Sequence, residues 1–291
     1  MPTIGKCCEL FIQDRKLRGL AEGTIVTYET VFTPMLRDIG REIEIEAAPV
    51  LEYACSLADK GWAKSTLWNA LKLLRAWHSW CVENKLCEKI NLPRMKQPQS
   101  DIRPMTPVQI RQVIGYFDGD TFLGLRNQTI VRLMFTMGLR VGEVSRLRVT
   151  DIDLGDRAMF IQGKGDKNIW VPIPKKTGKH LWHYMIQREL RKNAMVDNLF
   201  LGRAGRWLSP DAIKHIFQGP ARHFKFPGIR MSPHTLRHSY AVAFLELGGG
   251  NVFELQQLLR HNDLEMTRRY VMLAKSHLRD AVDRSSPDGL V

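Results

Sequence analysis

The sequence predicts a mainly α-helical protein with a small antiparallel β-sheet, divided into a helical bundle and a larger α+β domain. Apolar residues recur at helical spacing through most of the 291 residues. Three short segments with strand character lie together near the middle of the chain, and a polar stretch containing prolines precedes them. These observations predict a first domain over residues 1–95, a linker over 96–105 and a second domain over 106–291.

Residues 1–95 have the pattern of four or five short helices packed as a bundle. Thr24 is a candidate N-cap for one of these helices. After Ser65, apolar residues follow one another in steps of three and four: Leu67, Leu71, Leu74, Trp77 and Cys81. The tryptophans are more typical of a packed core than of platforms for stacked bases; they are Trp68, Trp77 and Trp80.

The linker is predicted from proline repeated without an apolar period, at Pro93, Pro98 and Pro104. Thr106 and Pro107 then form an N-cap followed by proline, which predicts a helix. A second helix is expected over residues 121–137, with one apolar face: Ile130, Leu133, Met134 and Met137. Strands are expected at 149–153, 158–162 and 168–173, separated by turns that contain glycine. From Lys175 onward the pattern is again helical.

Positive charge is concentrated in the second part of the chain. The formal net charge is +13. Residues 1–95 hold 13 basic and 12 acidic side chains, whereas residues 96–291 hold 30 and 18. This asymmetry favours a nucleic-acid-binding second domain over a basic surface that is merely solvated.

Several functional classes are disfavoured. No apolar run approaches the ~20 residues of a membrane helix, and the charged N-terminus lacks a signal-peptide core, so we expect a cytoplasmic protein without membrane contact. Five cysteines without a C-x-x-C pair argue against a disulfide framework and a cysteine-based zinc site. The glycine-rich segments lack the spacing of nucleotide-binding loops, and His234 with His238 lacks an obvious third metal ligand. We expect neither a cofactor nor a metal.

The remaining residues able to do chemistry are cationic or hydrogen-bonding side chains, followed by a tyrosine: Arg140, Lys164, His234, Arg237, His261 and Tyr270. His234 and Arg237 are three residues apart, so they share a helix face just after Pro233. Taken singly, each histidine is more often a structural residue, and Lys164 is a solvated turn lysine. Their functional interpretation therefore depends on their order along the chain.

That order resembles the tyrosine recombinases, the phage-integrase group, over nearly the whole chain. The matching motifs are Gly-Leu-Arg-x-x-Glu at 138–143, Gly-Lys-Gly at 163–165, His-x-Leu-Arg-His at 234–238, and Leu-x-His at 259–261 with tyrosine nine residues later. Arg260 is a departure, because the family usually has glycine there. The stretch from Arg237 to His261 is also about one residue longer than usual. The resemblance implies a helical core-binding (SAM-like) DNA-binding domain, then a catalytic domain with a C-terminal tail.

The resemblance also implies a role for each candidate residue. Tyr270 would attack the scissile phosphate and form a 3′-phosphotyrosyl link. Arg140 and Arg237 would bind the non-bridging oxygens, for which guanidinium offers bidentate donors and a fixed charge. Lys164 would protonate the departing 5′ oxygen, His234 would assist proton removal from the tyrosine, and His261 would donate a hydrogen bond to the phosphate. Glu143 would support the region of Arg140.

The implied partners are double-stranded DNA with specific recombination sites and further copies of the chain, as a tetramer on DNA. The tail after Tyr270 would dock on a neighbouring subunit or on its own domain. The size resembles Xer-type recombinases, transposon-borne resolvases and simple integrases; accessory proteins are not indicated. Two alternatives stay open: a DNA-binding protein of the same fold that no longer reacts, and a relaxing enzyme like the type IB topoisomerases.

The concentration of positive charge predicts DNA binding that weakens steeply with salt. Each phosphate neutralised by lysine or arginine contributes about −0.9 to the slope of log K against log salt concentration. Anisotropy titrations of labelled duplex at salt concentrations from about 50 to about 200 mM measure this slope. A flat dependence would contradict the assignment of the excess charge to DNA backbone contacts.

Overall fold

The computed structural model describes residues 1–98, 103–163, 168–191, 196–247, 251–260 and 270. The chain divides into two compact units, Met1–Ser100 and Asp101–Val291. Its described residues are mainly helical and contain one three-stranded antiparallel sheet. The predicted fold class is therefore confirmed.

The first unit has four α-helices among its described residues: α1 Ile4–Leu17, α2 Glu22–Ile39, α3 Ala47–Ser56 and α4 Lys64–Glu83, with a 3₁₀ turn at Leu57–Lys60. The Thr3 hydroxyl accepts the Lys6 amide at 3.2 Å and so caps α1. The expected cap at Thr24 is wrong, because α2 already begins at Glu22 and has Ala21 at its N-cap without a side-chain hydrogen bond.

An aromatic core holds this first unit together. Trp77 and Phe11 are fully buried, and Trp80 is 7% exposed. The rings of Phe11 and Trp80 meet edge to face at 5.5 Å. Trp68 departs from the prediction: it is only half-buried, and the Lys72 ammonium lies 5.2 Å from its ring centre. It belongs to the rim of the bundle.

The second unit contains the remaining described elements. They are α5 Pro107–Gly115, α6 Phe122–Thr136, α7 Val141–Arg146, β1 Ile152–Asp153, β2 Ala158–Gln162, β3 Asn168–Pro172, α8 Lys175–Glu189, α9 Pro210–Ile216, α10 Gln218–Phe224, α11 Pro233–Leu247 and α12 Val252–Leu259. As predicted, Thr106 caps α5; it forms a reciprocal capping box with Gln109. Thr121 caps α6 by accepting the Gly124 amide at 3.1 Å.

Helix α6 is the centre of this unit. Its predicted apolar face is buried throughout, with Ile130, Leu133 and Met134 at 0% exposure. It packs against α5, α8 and α11. Because the residues that follow α6 continue directly into the first motif, the core fixes where that motif lies.

The sheet has the order β1-β2-β3, all antiparallel. The β2–β3 ladder runs from the pair Ala158 and Pro172 to the pair Gln162 and Asn168, next to the turn predicted to carry Lys164. The first strand is shorter than expected, since Val149–Asp151 forms a 3₁₀ turn. There the Asp151 carboxylate accepts the Arg148 amide at 2.8 Å, which favours a turn over an extended strand.

The five cysteines form no disulfide. Cys7, Cys8 and Cys81 are buried, Cys87 is half-buried and Cys55 is exposed, and all of them are free thiols. No helix in the described part of the chain is long and apolar enough to cross a membrane.

Candidate active site

The Gly-Leu-Arg motif begins in a turn that admits only glycine. Gly138 has a φ of 61°, in the left-handed region. A Cβ atom at this position would lie 2.5 Å from Cδ1 of Tyr240 and 2.8 Å from Cδ2 of Leu259. Leu139 then enters the core, and Arg140 occupies the N-cap position of α7. The turn therefore brings the start of α7 close to α11 and α12.

Arg140 is held by the acidic residue of its own motif. The Arg140 amide donates to Oε2 of Glu143 at 2.7 Å, and its Nη1 donates to Oε1 at 2.8 Å. The Glu143 side chain is 3% exposed, whereas that of Arg140 is 35% exposed. The guanidinium is therefore anchored on one side and open to solvent on the other. This agrees with the supporting role expected for Glu143.

Arg237 joins the other motifs to this turn. It lies on α11, whose first turn is capped by Ser232, since the Ser232 hydroxyl accepts the Thr235 amide at 3.2 Å. Arg237 is 5% exposed; its Nη1 donates to the Gly138 carbonyl and its Nη2 to the Leu259 carbonyl. Burial, followed by the charge of Arg140, lowers the pKa of Arg237 to about 9. The group remains a cation at neutral pH.

His234 lies one turn before Arg237 at the start of α11 and is exposed to solvent. Partial desolvation and then the charge of Arg237, together with three further cations, lower the pKa of its imidazole below the usual range. The imidazole is therefore mostly neutral at pH 7 and able to accept a proton.

Tyr270 packs against α11 and α12. It is 3% exposed and belongs to an apolar cluster with Tyr240, Leu255 and Leu259. Its ring centre lies 5.3 Å from that of His238. Tyr270 is also close enough to Arg237 to influence the electrostatics of that guanidinium.

Four of the six predicted residues are thus brought together: Arg140, His234, Arg237 and Tyr270. They come from the start of α7, from α11 and from the chain that follows α12. Lys164 and His261 lie outside the described residues. The convergence of separate motifs in one place is the arrangement expected of an active site.

Sequence reasoning missed one member of the site, Arg260. Its side chain is 4% exposed and forms an ion pair with Glu143, with Nη2 donating to Oε2 at 2.6 Å. The only signal in the sequence was the arginine that replaces the glycine usual at this position. A pairing across 117 residues cannot be read from that signal.

Comparisons with known proteins identify the family of the chain. The phage integrase family model matches residues 103–277. The tyrosine recombinase XerD of Halalkalibacterium halodurans is 26% identical over 299 aligned residues, which cover 99% of each chain. The tyrosine recombinase XerC of Alcanivorax borkumensis is 31% identical over 242 residues, covering 80% of this chain and 77% of that one.

Solved structures share the fold. The Tn1549 transposon integrase in complex with transposon right end DNA matches with a TM-score of 0.74 at 17% identity, covering 96% of this chain and 99% of that one. The XerA recombinase matches with a TM-score of 0.56 at 24% identity, covering 97% and 98%. Fold, motifs and relatives define the class of protein, a site-specific tyrosine recombinase. The chain belongs to the phage integrase family.

The packing around Gly138 generates a stability prediction. Gly138→Ala forces a methyl group against Tyr240 and Leu259 and also strains a left-handed backbone, which alone costs about 1–2 kcal/mol. Gly19→Ala is the matched control, since Gly19 has a φ of 70° and no atom lies within 4 Å of the place that the alanine methyl group would take. Urea unfolding followed by circular dichroism is expected to show a clearly larger loss for Gly138→Ala. Equal losses would mean that the close approach does not constrain the site.

Proposed function

We propose that this recombinase cleaves and rejoins duplex DNA at specific sites through a 3′-phosphotyrosyl link to Tyr270. The observation that carries the proposal is the position of Tyr270 beside Arg237, in the unit where Arg140 and His234 also converge. A nucleophile next to two guanidiniums fits phosphoryl transfer, because the transition state concentrates negative charge on the phosphate oxygens.

The two arginines would bind the scissile phosphate from different sides. The Arg140 side chain is 35% exposed, and its guanidinium is anchored through Glu143. Arg237 uses Nη1 and Nη2 once each for backbone carbonyls, so its other N–H groups can donate to a phosphate oxygen. Fixing both groups before the substrate arrives avoids reorganisation during the reaction.

Residues of the four motifs supply the nucleophile, the base and the acid that the chemical step needs. The Tyr270 hydroxyl attacks phosphorus and transfers its proton to His234, whose lowered pKa leaves it neutral. The bond from phosphorus to the 5′ oxygen breaks, and Lys164 supplies a proton to that oxygen. His261 donates a hydrogen bond to the phosphate. Because the phosphotyrosyl ester retains the energy of the broken bond, the reverse reaction rejoins DNA without ATP.

The domains and the partners are assigned from the resemblance to tyrosine recombinases. Residues 1–95 form the core-binding domain, 96–105 the linker, and 106–291 the catalytic domain with its tail. The XerH recombinase bound to palindromic difH substrate, in a post-cleavage complex, has a TM-score of 0.70 and 19% identity to this chain, which supports duplex DNA as the partner. We expect four subunits to assemble on two sites in the cytoplasm.

Substitution of the nucleophile tests the proposal. Tyr270→Phe should abolish the covalent adduct on a nicked suicide duplex while leaving the Kd for DNA nearly unchanged, because only the hydroxyl is lost. Tyr240→Phe, in the same apolar cluster, is the matched control and should retain adduct formation. Denaturing gels detect the adduct.

The same assay separates the alternatives. An adduct in Tyr270→Phe rules out Tyr270 as the nucleophile. A wild-type chain that binds DNA but forms no adduct at any concentration is a DNA-binding protein without activity. Relaxation of a supercoiled plasmid that lacks the recombination site would favour the topoisomerase-like alternative.

The lowered pKa of His234 gives a pH prediction. A base must be neutral, and the pKa lies below the unperturbed value of about 6.5. Single-turnover cleavage should therefore be level around pH 7 and fall only in more acidic solution, as His234 becomes protonated. His234→Gln should lower the rate and remove this acidic limb, whereas His183→Gln, on the exposed face of α8, should keep it. If the cleavage rate of His234→Gln still falls in acidic solution, the protonation of another group causes that fall.

A further inference from the structure

We propose that Arg260 is a positioning residue for Arg140 and acts through the carboxylate of Glu143. The proposal rests on the proposed function, because it concerns the phosphate-binding role given to Arg140. It assigns a purpose to the arginine that replaces the usual glycine of the Leu-x-His motif at 259–261.

The side chain of Arg260 makes its hydrogen bonds within the protein. Its Nε donates to Oε1 of Glu143 at 3.2 Å and its Nη2 to Oε2 at 2.6 Å, which makes a bidentate pair. Its Nη1 donates to the Leu258 carbonyl at 2.7 Å. With 4% of the side chain exposed, this guanidinium supports the site and does not itself reach a phosphate.

Glu143 is shared between two arginines. Oε1 accepts Nη1 of Arg140 at 2.8 Å as well as Nε of Arg260, and Oε2 accepts the Arg140 amide at 2.7 Å as well as Nη2 of Arg260. Each oxygen therefore accepts two hydrogen bonds. A carboxylate satisfied in this way is fixed in orientation, and so is the Arg140 side chain that it holds.

The charge of the three residues is as important as their geometry. One carboxylate between two guanidiniums leaves a net charge of +1, and Arg140 is the more exposed of the two cations. Without Arg260, Glu143 would neutralise Arg140 alone and compete with the phosphate for its donors. Arg260 thus leaves the charge of Arg140 available to the substrate.

The ionisation of Glu143 is consistent with this arrangement. Burial raises the pKa of the carboxyl, but the charge and hydrogen bonds of Arg260, followed by those of Arg140, more than offset it. The pKa of Glu143 therefore lies below its usual range, and the carboxylate is ionised at neutral pH.

The backbone of Arg260 adopts a conformation that is costly for a residue with a side chain. Arg260 ends α12 with φ 54° and ψ 45°, a left-handed conformation that favours glycine by about 1 kcal/mol or more. Its carbonyl also accepts Nη2 of Arg140 at 3.3 Å. A second contact with Arg140 from the same residue further ties the end of α12 to the start of α7.

The test compares covalent adduct formation in a single turnover by the wild type and by Arg260→Gly. The probe is a nicked suicide duplex carrying a site first isolated by covalent trapping with the wild-type chain. We expect Arg260→Gly to cleave about ten- to a hundredfold more slowly, less than the ~10²–10³ for loss of a direct donor. DNA affinity should change by less than about twofold. Arg157→Gly is the matched control, since Arg157 is exposed and also left-handed, with φ 50°.

A second measurement separates positioning from a general structural role. A methylphosphonate at the scissile position removes the negative charge that Arg140 would bind. The defect of Arg260→Gly should shrink on this substrate, as should that of Arg140→Ala, and the double variant should be no slower than Arg140→Ala alone. Equal defects on both substrates, or additive defects, would overturn the proposal.

The remaining outcomes are also decisive. If Arg260→Gly cleaves at the wild-type rate, the proposed role of Arg260 is overturned. If the wild type binds the probe and never forms an adduct, the proposed function is overturned instead. Arg260→Lys keeps the charge without the bidentate geometry and should show an intermediate defect. It takes the place of Arg260→Gly in every comparison if the glycine variant does not fold, as judged by circular dichroism.

Discussion

The site depends on the hydrogen bonds that the buried guanidinium of Arg237 donates. It donates to the carbonyl of Gly138 and to that of Leu259, so one side chain on α11 holds the turn before α7 and the end of α12. Burying a charge is costly, and the two hydrogen bonds to these carbonyls offset part of that cost. The close packing of Gly138 against Tyr240 and Leu259 follows from the same junction. Distant motifs thereby form one unit.

The electrostatics of this junction suit the proposed reaction. Three arginines and one glutamate leave a charge of +2 around the place where a phosphate would bind: Arg140, Arg237, Arg260 and Glu143. A phosphodiester carries one negative charge, and attack by a tyrosine oxygen raises this to two in the pentavalent state. Groups that match the charge of the transition state better than that of the substrate accelerate the reaction.

Local patterns predicted most of the fold, and long-range pairing accounts for what they missed. The cap at Thr106 depends on a neighbour three residues away, so it can be read from the chain. The position of Trp68 at the rim depends on how the bundle packs, and the 3₁₀ turn at Val149–Asp151 depends on competing local hydrogen bonds. The periodicity of apolar residues reports neither. The contact of Arg260 with Glu143 requires the tertiary fold, and the motifs could indicate only that position 260 is unusual.

Exposure within the site implies an order of contact with DNA. His234 is exposed and Arg140 is 35% exposed, whereas Arg237 is 5% and Tyr270 3% exposed. In the proposed reaction, a phosphate arriving from solvent would therefore meet Arg140 before it meets the tyrosine. Because Glu143 contacts both Arg140 and Arg260, this first contact would be made with a group already in place, and binding energy would not be spent on ordering it. In the proposed reaction the phosphate would then approach Arg237 and Tyr270, and the burial of Arg237 would strengthen the attraction between its charge and the phosphate.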